Sequence, residues 1–161
     1  MTPATPAAAA IHDFDFIHGR WTVEHRRLKA RGVGADDWDC FASTSCCEPR
    51  LGGLANIEEL DCPARGWTGL AVRIFDIEAG EWAVHWANST TGVLQPPVRG
   101  RFHGGGCVLE GPDTDEGRPI IARYIWSDIT PTAARWTQAF SYDDGTTWEI
   151  NWVMDFTRAD A

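Results

Sequence analysis

Four polar side chains share strand faces with aromatic ones: His25, Asn88, Tyr124 and Gln138. Alternate residues of a strand point to one side. On that side these four have as neighbours Trp21 and Val23; Trp82, Val84 and Trp86; Ala122 and Trp126; Trp136 and Phe140; and Trp148, Ile150, Trp152 and Met154. A mostly apolar wall with a few placed polar groups is the composition of a small-molecule pocket. Trp86 and Trp152 offer flat area for stacking, and the four polar groups offer hydrogen bonds that set orientation. Taken singly, each of the four also fits a core polar residue satisfied by a neighbour. His25 adds a second chemistry, because imidazole is the side chain best matched to proton transfer near neutrality.

The opposite faces carry Glu24 and Arg26, Glu81 and His85, Arg123 and Ser127, Arg135 and Thr137, and Glu149, Asn151 and Asp155. That mixture of charges reads as solvent-facing. Arg99, Arg101 and His103 alternate on one short strand and could grip an anion, although a solvated face also accounts for them. On this sorting the aromatic face carries few formal charges, so its ligand is expected to be neutral or singly charged. The aromatic face holds no paired carboxylates, and the chain shows no nucleophile elbow and no phosphate loop. An enzyme with His25 as general acid/base is therefore the alternative to a binding protein. A haem-binding barrel is a minor possibility, since no spacing among the five His selects a ligand. A structural dimer with a Trp-packed core is the remaining one. No other cofactor and no metal site is expected.

The chain has 161 residues, nine of them Trp, and a net charge of −9. One domain with a sizeable core follows from that length. Nucleic-acid binding would need a basic footprint, which is missing. No apolar run approaches the ~20 residues of a spanning helix. Residues 1–10 hold a short Ala run with no Lys or Arg, which reads as a disordered or loosely ordered arm preceding a domain over 11–161. Five cysteines, an odd number with no Cys-x-x-Cys, point to reduced thiols and a cytoplasmic protein. Cys46 and Cys47 are adjacent, so a strand would send them to opposite faces.

These residues need strands to position them. Apolar residues at 11, 14, 16 and 17 suit a short helix or turn that plugs one end. Strands are expected over 21–29, 38–48, 54–61, 67–76, 81–89, 98–103, 107–111, 119–129, 134–142 and 146–157. Residues 112–118 read as a polar loop. Asp143-Asp144-Gly145 between two alternating runs is a strong hairpin signal. About nine to ten antiparallel strands with short turns make an all-β sandwich or closed barrel.

Gly19-x-Trp21 at the start of the first strand, with Arg158 at the end of the last, resembles the signature of the lipocalin-like (calycin) β-barrels. The segments 82–87, 97–102, 136–141 and 151–152 resemble small bacterial lipocalin-like proteins that carry no assigned activity. The resemblance implies a single antiparallel lipocalin-like barrel in which Arg158 lies across Trp21 and closes one end. It transfers no catalytic residue. With it, the expected partner is one small hydrophobic or aromatic molecule held by His25, Trp86, Asn88, Tyr124, Gln138 and Trp152. No nucleic acid and no membrane span are expected, and a homodimer is compatible with this reading.

Overall fold

A computed structural model describes residues 10–159. The arm expected over 1–10 falls almost wholly outside the described residues. Ten strands follow in order: β1 Gly19–Leu28, β2 Trp38–Arg50, β3 Ala55–Cys62, β4 Trp67–Asp76, β5 Glu81–Asn88, β6 Val98–His103, β7 Gly106–Asp115, β8 Arg118–Ser127, β9 Ala133–Ser141 and β10 Glu149–Arg158. Each pairs antiparallel with its neighbours in sequence, and β1 pairs with β10, so the sheet is a closed barrel. Among the described residues no helix is long and apolar enough to cross a membrane.

Alternation decides what faces inward. Trp21, Val23 and His25 are buried while Thr22 and Glu24 are exposed, and Cys47 is buried beside exposed Cys46. The expected loop over 112–118 is shorter than its composition suggests. β7 runs on to Asp115 and turns at Glu116-Gly117, because Asp113 and Asp115 pair in register with Ile120 and Arg118.

One end is closed. A single 3-10 turn, Asp15–Ile17, carries Phe14 in against Trp82, Phe102 and Trp126 at 5.0, 4.8 and 6.4 Å, all edge-on. The Arg158 guanidinium lies 4.1 Å above the Trp21 ring. It donates to the carbonyls of Phe16, His18 and Pro131 at 2.8, 2.7 and 2.9 Å. Trp21 Nε1 donates to Ile17 O at 2.9 Å. Gly19 has φ +106°, and a Cβ there would stand 2.8 Å from Arg158 Nη1. Glycine is therefore needed for both the turn and the approach of the arginine.

β10 departs from simple alternation. Its register with β9 shifts between Ile150 and Trp152, which leaves Asn151 as the extra residue of a bulge. Asn151 is buried and Ile150 is half exposed, the reverse of the sequence-based sorting. Trp148 likewise leaves the aromatic face and lies under the Arg123 guanidinium at 3.6 Å.

Candidate functional site

Inside the barrel, Trp152 is the centre of an aromatic group. Trp67, Trp86 and Trp136 stand around it at 6.0, 6.0 and 5.6 Å between ring centres, each nearly perpendicular. Tyr124 meets Trp136 at 5.0 Å. Edge-to-face contacts of this kind add stabilisation beyond the area they bury. Trp86 lies flat on β4, where a Cβ on Gly69 would fall 2.0 Å from its indole. Only a bare backbone lets the ring settle there.

Beneath this group is a cavity of about 30 Å³, enough for a water molecule or two. Trp86, Tyr124, Trp126, Trp136, Gln138 and Trp152 line it, with Leu60, Val84, Met154 and Phe156 filling the wall between them. Burial pushes the Tyr124 phenol up, and the charge on Asp113 pushes it further the same way.

The floor of the cavity is charged, which sorting of the most aromatic strands alone does not reveal. Arg73 and Glu58 form an ion pair at 2.5 Å with both side chains almost fully buried. Glu58 also accepts from Ser45 Oγ, and Arg73 Nη1 donates to Asn56 Oδ1 at 3.0 Å. The guanidinium carbon sits 5.2 Å from the Phe14 ring and 5.6 Å from Trp126. Among the described residues, two buried donors have no hydrogen-bond partner: Arg73 Nε and Asn151 Nδ2. Asn151 Oδ1 accepts from Gln138 Nε2 at 2.8 Å, so the second unmatched donor belongs to an amide pair one member of which lines the cavity.

The six residues expected to bind a ligand are not all together. Trp86, Tyr124, Gln138 and Trp152 share the cavity wall. His25 lies outside that wall and is joined to it through Trp152, whose Nε1 donates to His25 Nδ1 at 3.0 Å. With Nδ1 accepting, the neutral ring carries its proton on Nε2 and donates it to Ser43 Oγ at 2.7 Å. The ring stacks on Phe41 at 4.5 Å. Burial, and next the charge of Arg27, lowers its pKa to about 4. Both nitrogens are engaged, so the imidazole offers no free position for proton transfer or haem ligation in this arrangement. Asn88 sits at the rim, where its Oδ1 accepts from Thr90 N and Oγ1, both at 2.9 Å. There it shapes the turn after β5.

The rim is tied across. In the loop after β1, Arg31 donates to Asp115 Oδ1 from Nη2 at 2.8 Å, and Tyr142 donates to Asp115 Oδ2 at 2.6 Å. β7, which carries Asp115, is four strands round the barrel from β1. Gly32 N donates to Glu149 Oε1 at 2.8 Å. Arg27 points inward beneath this strap and stacks on Trp152 at 4.3 Å.

No protein-family model matches the sequence, and no curated protein matches it. Among solved structures, the barrel is similar to an S-type phycobiliprotein lyase from Guillardia theta. That match has a TM-score of 0.61 and spans 97% of this chain and 96% of the other at 10% identity. Identity that low makes this a likeness of fold: a lipocalin-like barrel of ten antiparallel strands.

Proposed function

We propose that this protein binds one small hydrophobic, aromatic molecule inside the barrel, beneath the Trp152 group. The observation that carries the proposal is the cavity itself. Four tryptophans and a tyrosine line it, and Arg73 on its floor retains an unmatched donor. Space and an unmatched donor side by side are what a binding site offers and what a close-packed core keeps to a minimum. The barrel of similar fold belongs to a phycobiliprotein lyase. A barrel of this shape is thus compatible with work on a partner or ligand.

The cavity is small, so a ligand of one ring or more needs room from a side chain that can yield. Trp86 is the candidate, because it is partly exposed and its ring rests on the bare backbone of Gly69. Trp86→Ala should therefore enlarge the site and change affinity for one-ring aromatic compounds, while the barrel still folds. A thermal-shift and Trp-fluorescence screen of such compounds against wild type and variant checks this. If no compound affects either protein and Trp86→Ala merely lowers the melting temperature, the aromatic group is a packed core and the structural reading replaces this one.

A further inference from the structure

The floor of the cavity says what the far end of a ligand should be. Arg73 spends Nη2 on Glu58 and Nη1 on Asn56, which leaves Nε–H unpaired beside the cavity. An unmet buried donor is costly, and the direct remedy is an acceptor. The charge of Arg73 is already balanced by Glu58. A carboxylate arriving here would bring a second negative charge into a site with one positive charge, away from the solvent that would spread it. A neutral oxygen meets the same N–H without that penalty.

Resting on the binding function above, we propose that the ligand is a flat apolar molecule ending in a neutral carbonyl oxygen, which accepts from Arg73 Nε. Glu58 then has a selective role: it sets the site's net charge to zero and so turns acids away.

Three probes of one shape separate the possibilities: ethylbenzene, acetophenone and benzoate, titrated against the full chain by ligand-observed NMR. Acetophenone should bind at least about tenfold tighter than either of the others, the increment of a hydrogen bond to a charged donor. Arg73→Lys removes Nε–H while keeping a cation for Glu58, and should erase the ketone's advantage over ethylbenzene. Glu58→Gln should invert the order, with benzoate overtaking acetophenone. A purely structural ion pair predicts no such inversion. If Glu58→Gln does not fold, the wild type and Arg73→Lys comparison stands alone.

Equal binding of ethylbenzene and acetophenone by wild type would overturn this proposal and leave the binding function intact. Benzoate binding tightest to wild type would overturn it as well, because the floor would then be an anion site. Binding of none of the three, in wild type or in Trp86→Ala, would remove the binding function and this inference with it.

Discussion

His25 should make the barrel unusually sensitive to mild acid. Its pKa is lowered from 6.5 to about 4, by burial first and then by Arg27. The unfolded chain therefore takes up this proton more readily than the folded one. The contribution to stability is complete above the unfolded value and is lost as pH falls from 6.5 towards 4. Between pH 7 and pH 5 one such proton costs about 2 kcal/mol, since each tenfold difference in proton affinity is worth about 1.4 kcal/mol. Geometry opposes protonation as well: a charged ring needs a hydrogen on Nδ1, where Trp152 Nε1–H already points. Urea unfolding followed by Trp fluorescence measures the loss directly. His25→Gln is the control, because its amide can accept from Trp152 and donate to Ser43 without titrating. Wild type should lose about 2 kcal/mol more than this variant over the interval. Parallel pH profiles for the two proteins would refute the assignment of a neutral, doubly engaged imidazole.

Two further outcomes follow from the closed end and from the thiols. Arg158→Ala should destabilise by roughly 1–3 kcal/mol through lost stacking on Trp21 and lost packing, with the loss read as a lower urea midpoint; an unchanged midpoint would deny Arg158 its role in closure. All five cysteines are free, but Cys47, Cys62 and Cys107 are buried, and burial pushes Cys47 and Cys107 up to about 12. A thiol reagent at mild pH should therefore label Cys40 and Cys46 quickly in the native protein and all five once it is unfolded. A third fast thiol in the native state would contradict the burial.

Much of the barrel can be read from the residues, for local reasons. Strand β5 alternates cleanly, Asp143-Asp144-Gly145 turns β9 into β10, and Gly19, Trp21 and Arg158 lie at the ends that must meet. The site is only partly legible. Parity places Trp86, Tyr124, Gln138 and Trp152 inside, and all four line the cavity. The bulge at Asn151 has no local signature, since a bulge adds one residue to a strand and is recognised by what it pairs with. The residues just before it change face, which is why simple parity puts Trp148 and Ile150 inside and Asn151 outside. Arg73 and Glu58 are within reach of the same reasoning. Arg73 has the parity of Trp67 and Phe75, and Glu58 that of Leu60 and Cys62. Charge argues for solvent, and a buried pair shows itself only when both strands are sorted together.

The single seam between β1 and β10 also governs how the chain finds its shape. All other pairings join consecutive strands, whereas this one brings together residues such as Thr22 and Thr157, 135 apart. Hairpins form in microseconds, but bringing such distant segments together costs roughly 4 kcal/mol in chain entropy. Closure is then the slow search, made late by a wall that already curls. Until it succeeds, the molecule is an open sheet with two bare edges, each able to recruit a strand from another copy. Arg158 stands on one of those edges, and its charge there discourages the wrong neighbour before Trp21 arrives as the right one.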